Sequence, residues 1–109
     1  MLRQINAFRK TSHFLYRQWE RSIDDDLLRE MLKSIPVPYL PDQKYNVVFS
    51  RAFCLALRKR GFFVPHLYKN ECLILSIKNF TLITIYKYTA TDDLLRLLKA
   101  HRGEWFEIV

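Results

Sequence analysis

The sequence predicts an α+β domain, in which two N-terminal helices pack on a small antiparallel β-sheet and a further helix lies near the C-terminus. Apolar side chains recur at helical spacing before residue 35 and after residue 91, and they form β-rich runs between residues 71 and 88. The chain has 109 residues, half of them hydrophobic, which is enough for one core and too little for two. We therefore expect a single domain over residues 1–109.

The first predicted helix runs from about His13 to Arg21, with Ser12 as its N-cap. At 100° per residue, one side of this helix is apolar and is expected to face the core: Phe14, Leu15 and Trp19. The opposite side carries residues spaced by four: His13, Arg17 and Arg21.

The second predicted helix runs from about Asp24 to Ser34, and Ser22 with Asp25 resembles a capping box. Its core face is expected to be Leu27, Leu28, Met31 and Leu32. Three prolines follow, at positions 36, 38 and 41. They end the helix and predict an extended connection over residues 35–44.

The middle of the chain predicts a short strand from Asn46 to Ser50. Residues 51–60 either extend this strand or form a short helix that Ser50 caps and Gly61 ends. We favour the helix.

Two clearer strands are predicted from Glu71 to Ile77 and from Phe80 to Tyr88, joined by a tight turn at Lys78 and Asn79. A last helix is expected from Thr91, with a leucine-rich face, to His101 and Arg102 before Gly103. The tail from Glu104 to Val109 is a candidate edge strand.

The charge pattern favours an anionic partner, because the chain has 18 Lys and Arg and only 11 Asp and Glu, which gives a formal net charge of +7. Residues 51–69 contain no acid. Together with Arg21, this stretch supplies the candidate RNA-binding side chains: Arg51, Arg58, Lys59, Arg60 and Lys69. Aromatic residues are interleaved with these charges, and His66 and Tyr68 are the surface candidates for stacking on bases.

Several classes of function are excluded or disfavoured. With only two glycines, the chain has neither a dinucleotide-binding loop nor a P-loop. No apolar run is long enough to span a bilayer, so no membrane association is expected. Cys54 and Cys72 form no disulfide framework and indicate a reducing, cytoplasmic location. No metal-ligand spacing is present, and no cofactor is expected.

Two groups of side chains are candidates for catalysis. A histidine can exchange a proton near neutral pH, and an arginine one turn later can bind phosphate oxygens, which describes His13 and Arg17. Thr84 and Tyr86 lie two residues apart on a predicted strand, so they share one face of the sheet. The alternative interpretation is ordinary: a solvated basic helix face, and strand residues of common type.

Two segments resemble the barnase/EndoU/colicin/RelE-like superfamily of ribonuclease toxins. The run SHFLYRQWERSID at residues 12–24 resembles the opening of these domains, in which a helix begins with histidine and an arginine follows four residues later. The runs at residues 73–75 and 81–86 are similar to their paired final strands, which often end in a Thr-x-Tyr pattern.

The resemblance implies metal-independent RNA cleavage through a 2′,3′-cyclic phosphate. In that interpretation His13 is the acid or base, Arg17 binds the phosphate, and Thr84 and Tyr86 donate or accept hydrogen bonds from the sheet. Arg21 binds RNA or pairs with a nearby acid. Two alternatives remain at this stage: a non-enzymatic basic nucleic-acid-binding protein, and an interaction module whose basic face meets an acidic partner such as an antitoxin or immunity protein.

Overall fold

A computed structural model describes residues 8–35, 44–89 and 104–108. It confirms the α+β class, with three helices and a five-stranded sheet. The predicted last helix and the proline-rich connection at 36–43 lie outside the described residues. None of the helices in the described part of the chain has the length and hydropathy that crossing a bilayer requires.

The elements follow one another in the order strand, two helices, strand, helix and three strands. Their bounds are β1 Arg9–Lys10, α1 Ser12–Glu20, α2 Asp25–Lys33, β2 Lys44–Phe49, α3 Arg51–Lys59, β3 Glu71–Lys78, β4 Thr81–Thr89 and β5 Glu104–Ile108. The order of strands across the sheet is β1-β4-β3-β2-β5.

The sheet is mixed, which corrects the prediction of an antiparallel sheet. Its centre is antiparallel as expected: β3 pairs with β2 and forms a hairpin with β4. The turn of this hairpin is Asn79 and Phe80, both with positive φ, one residue later than the predicted Lys78 and Asn79. The two edge strands run parallel to their neighbours, β1 to β4 and β5 to β2. Both edges come from segments distant in sequence, so no hairpin fixes their direction.

Helix caps differ from the prediction in two places. The cap of α1 is Thr11 rather than Ser12: its Oγ1 accepts from the Phe14 amide and donates to the Ile83 carbonyl of β4, each at 2.9 Å. The cap of α2 is Asp24, whose Oδ1 accepts from the Leu27 amide at 2.8 Å. The cap of α3 is Ser50, as predicted.

The core face of α1 also differs from the prediction. Phe14 is fully buried, but Leu15 and Trp19 are 51% and 77% exposed. The second buried residue of α1 is Gln18, whose Nε2 donates to Asp25 Oδ1 at 2.8 Å. A buried amide is tolerated when it is hydrogen-bonded. Gln18 can therefore occupy the core-facing position that the apolar pattern assigns to Leu15 and Trp19.

All three helices pack against one face of the sheet. Phe14, the predicted leucine face of α2, and Cys54 and Leu57 of α3 share one buried cluster with Phe49 of β2 and Ile85 of β4. The other face of the sheet is buried too. There Ser76 donates to the amide oxygen of Asn46 at 2.8 Å, beside a smaller apolar cluster.

A β-bulge in β4 changes the predicted faces of that strand. Ile77 pairs with Leu82 but Ser76 pairs with Thr84, so Ile83 is an extra residue. As a result, Leu82 and Ile85 both point into the helix-side core, although strict alternation assigns them to opposite faces.

Candidate functional site

The basic face of α1 is present, but its middle charge, Arg17, is paired with an acid of the same helix. His13 is exposed on the first turn. The guanidinium of Arg17 donates from Nη1 to Glu20 Oε1 at 2.6 Å and lies 5.9 Å from the centre of the Tyr16 ring. The Glu20 carboxylate thus partly neutralises Arg17, which makes Arg17 less available to a ligand phosphate.

Thr84 and Tyr86 do not join this face. They follow the bulge and point away from Ile85, so they lie on the sheet face opposite the helices. Tyr86 packs against the cluster of Val48, Cys72 and Ile74, and its hydroxyl is buried. Burial raises the pKa of Tyr86 to about 12, so its hydroxyl stays protonated at neutral pH. His13 is on a helix that packs on the other face of the sheet, so the described residues do not bring it together with Thr84 and Tyr86. The catalytic roles of these three residues stay predictions.

Two arginines of the acid-free stretch hold the loop that follows α3. Arg58 Nη2 donates to the carbonyls of Val64 and Pro65 at 3.1 and 3.2 Å. Arg51 Nε donates to the Leu67 carbonyl at 3.3 Å. These contacts give both side chains a structural role in addition to the predicted RNA-binding one.

The loop exposes His66 between buried neighbours. Gly61, with φ +97°, turns the chain out of α3 as predicted. Val64, Pro65 and Leu67 are buried and anchor the loop, whereas His66 between them is exposed. The His66 ring packs edge-on against Tyr68, with ring centres 4.6 Å apart.

The remaining cations of the predicted set are on the surface. Lys59, Arg60 and Lys69 are exposed. Arg60 Nη2 lies 3.9 Å from Glu30 Oε2, and its guanidinium lies 5.4 Å from the centre of the Phe62 ring.

A cleft of about 280 Å³ opens between the end of α1, this loop and β4. We call it the basic cleft, and its lining residues are Glu20, Arg21, Ser22, Phe63, Val64, Pro65, His66 and Lys87. Two of these residues are sequence candidates: Arg21 for RNA binding and His66 for stacking on bases. Lys87 reaches across the cleft and donates from Nζ to the His66 carbonyl at 3.4 Å.

Arg21 is the least satisfied cation of the basic cleft. Its Nε is buried and makes no hydrogen bond within the described residues. The nearest acid is Glu20, whose Oε1 is 3.9 Å away, beyond hydrogen-bonding distance. The hydrogen bond from Arg17 holds the pKa of Glu20 below its usual range, so this carboxylate stays ionised at neutral pH. The cleft thus combines two cations, a carboxylate and a histidine.

A second, more open depression of about 390 Å³ adjoins the basic cleft. We call it the aromatic groove, and it is lined by Gln18, Trp19, Ser22, Ile23, Asp24 and Phe63. Ser22 and Phe63 line both depressions, so the two lie side by side.

The cysteines are buried and have no predicted chemistry. Neither Cys54 nor Cys72 forms a disulfide. Burial raises the pKa of the Cys54 thiol to about 12, which keeps it protonated and unreactive. Within the described residues, no group of three or more His, Cys, Asp or Glu side chains is arranged to hold a metal ion.

Sequence reasoning missed His66 as a proton-transfer candidate and Lys87 as a candidate for phosphate binding. Lys87 directly follows the Thr-x-Tyr pattern of residues 84–86, and His66 follows a proline. Nothing in the sequence indicates that these two residues, 21 positions apart, lie in one cleft. Comparisons with protein-family models, with curated proteins and with solved structures found no match to this chain.

Proposed function

We propose that this chain is a metal-independent endoribonuclease that binds an RNA phosphodiester in the basic cleft and cleaves it there. The observation that carries the proposal is the buried, unsatisfied Nε of Arg21 beside Lys87 and His66 in one cleft. The Arg21 side chain is 30% exposed, so an anionic ligand in the cleft can meet a guanidinium whose Nε has no hydrogen-bond acceptor among the described residues. The resemblance of residues 12–24 to ribonuclease toxins points to the same class of activity.

Binding requires cations that are free to contact phosphate. Arg21 and Lys87 both line the basic cleft and come from different elements, since Arg21 follows the last turn of α1 and Lys87 belongs to β4. An arginine offers a planar set of donors and a lysine a mobile point charge, and both suit phosphate oxygens. The net charge of +7 adds long-range attraction for RNA.

Cleavage requires one group that takes a proton and one that gives a proton. The 2′-oxygen bonds to phosphorus while the bond from phosphorus to the 5′-oxygen breaks, which leaves a 2′,3′-cyclic phosphate and a 5′-hydroxyl. Glu20, ionised beside Arg17, accepts the proton of the 2′-hydroxyl, and His66 gives a proton to the departing 5′-oxygen. Arg21 and Lys87 stabilise the charge that develops on the phosphate oxygens.

Binding and cleavage are tested separately. Labelled single-stranded RNA is incubated with the protein in the presence of EDTA, and the end groups of the products are identified. Affinity is measured by fluorescence anisotropy on 2′-O-methyl RNA, which lacks the attacking hydroxyl. Arg21→Gln and Lys87→Gln should each weaken binding about tenfold, since each removes one charged phosphate contact. Lys78→Gln, an exposed lysine at the far end of the hairpin, is the matched control.

The outcomes separate the candidate functions. A 2′,3′-cyclic phosphate in EDTA supports the proposal. RNA that is bound but left whole favours the non-enzymatic binding protein instead, because the cations alone suffice for binding. If Arg21→Gln and Lys87→Gln bind as tightly as the parent, the basic cleft is not the RNA site.

A further inference from the structure

We propose that the aromatic groove is a nucleobase subsite with a preference for guanine, in the RNA whose phosphate occupies the basic cleft. This inference rests on the proposed function. The two depressions share Ser22 and Phe63, so a nucleotide with its phosphate beside Arg21 can place its base in the groove.

Two exposed aromatic side chains provide the surface for stacking. Trp19 is 77% exposed and Phe63 is 64% exposed, and both line the groove. They come from different elements, the last turn of α1 and the loop after α3. Bases stack well on aromatic side chains, and stacking on such residues is a common way to hold single-stranded RNA.

The polar groups of the groove are mainly hydrogen-bond acceptors. Asp24 uses Oδ1 to cap α2, and it carries a second carboxylate oxygen that also accepts hydrogen bonds. Gln18 donates from Nε2 to Asp25, so its amide has its oxygen as the acceptor. Guanine presents adjacent N–H donors, from its ring N1 and its amino group, that match a carboxylate. The other bases present fewer adjacent donors, so they fit this groove less well.

The test uses 2′-O-methyl octamers of uridine that carry one guanosine, one adenosine, one cytidine or no substitution at a central position. We expect the guanosine octamer to bind about tenfold more tightly than the all-uridine one. Trp19→Ala and Asp24→Asn should each remove that preference. Asparagine is as good an N-cap as aspartate, so Asp24→Asn keeps α2 intact. Leu15→Ala, at a 51% exposed position of α1 outside the groove, is the control.

Three results are distinguishable. Loss of the guanosine preference in both groove variants, with the control unchanged, supports the subsite. Equal binding of all four octamers, with Arg21→Gln still weakening them all, overturns the subsite and leaves the proposed function standing. Failure of every octamer to bind overturns both.

Discussion

His13 and His66 are both exposed, yet their surroundings differ in one respect that matters for chemistry. The arginine nearest His13 along its helix, Arg17, is neutralised by Glu20 at 2.6 Å. The arginine that shares a cleft with His66, Arg21, has a buried Nε without a hydrogen bond. A phosphate needs cations that are not already paired, so the basic cleft is the better place for it than the outer face of α1.

The largest expected effect comes from exchanging the two histidines for alanine. His66→Ala should slow RNA cleavage by about 10²–10⁴-fold, the usual contribution of a general acid or base. His13→Ala should leave the rate close to that of the parent protein. Both positions are exposed, so neither change removes core contacts. Single-turnover cleavage of labelled RNA, with circular dichroism as a check of folding, measures the difference.

The opposite result is equally informative. Full activity in His66→Ala together with loss of activity in His13→Ala would move the chemistry to the outer face of α1, as the toxin resemblance implies.

A second prediction separates charge that attracts RNA from charge that builds the cleft. Lys59 and Arg60 are exposed, so reversing both to Glu should weaken RNA binding on the order of tenfold and flatten its salt dependence. Arg58→Glu should instead destabilise the domain by about 1–3 kcal/mol, because the carbonyls of Val64 and Pro65 lose their donor. Urea unfolding and anisotropy on the same variants distinguish the two effects.

Reversed results would contradict this division. If Arg58→Glu unfolds at the same urea concentration as the parent, Arg58 is one more surface cation and the loop that carries His66 is held by other contacts.

Sequence patterns predicted the features that depend on residues close together along the chain. The cap of α3 at Ser50, the turn at Gly61 and the leucine face of α2 depend on neighbours within one helix, and all were predicted correctly. The hairpin of β3 and β4 is also local in sequence. For such elements, propensity, capping and periodicity act over the same few residues that form the structure.

Features that depend on distant contacts were not predictable in this way. The bulge at Ile83 reassigns the faces of β4, and it lies where Thr11 donates to the Ile83 carbonyl from 72 residues away. The same Thr11 hydroxyl caps α1, in place of the predicted Ser12. The basic cleft joins α1, the loop after α3 and β4, so no single window of sequence contains it.

The smallest expected effect concerns the anchor of α1 rather than either histidine. Asp25 accepts from Lys10 Nζ and Gln18 Nε2, each at 2.8 Å, and so links β1 and α1 to α2. Hydrogen bonding to Lys10, and then to Gln18, lowers the pKa of Asp25. A carboxylate with a depressed pKa in the folded state stabilises the fold above its unfolded pKa of about 3.9, and it loses that contribution as the pH falls through the folded value.

Asp25→Asn should therefore lower the free energy of unfolding at pH 7 by about 0.2–1 kcal/mol, the range of exposed ion pairs. The difference from the parent should shrink below about pH 4, where the parent carboxylate becomes protonated as well. Urea unfolding between pH 7 and pH 2.5 measures this. Asp26→Asn is the comparison, since it removes a carboxylate from the same helical turn together with its 3.0 Å ion pair to Arg29. RNA cleavage at neutral pH should be unchanged, because Asp25 lines neither the basic cleft nor the aromatic groove. A difference in unfolding free energy that stays the same below about pH 4, where the Asp25 carboxyl is neutral, would contradict this prediction. The charge of Asp25 would then not be the cause, and Asp25 would stabilise α1 through its shape and neutral hydrogen bonds.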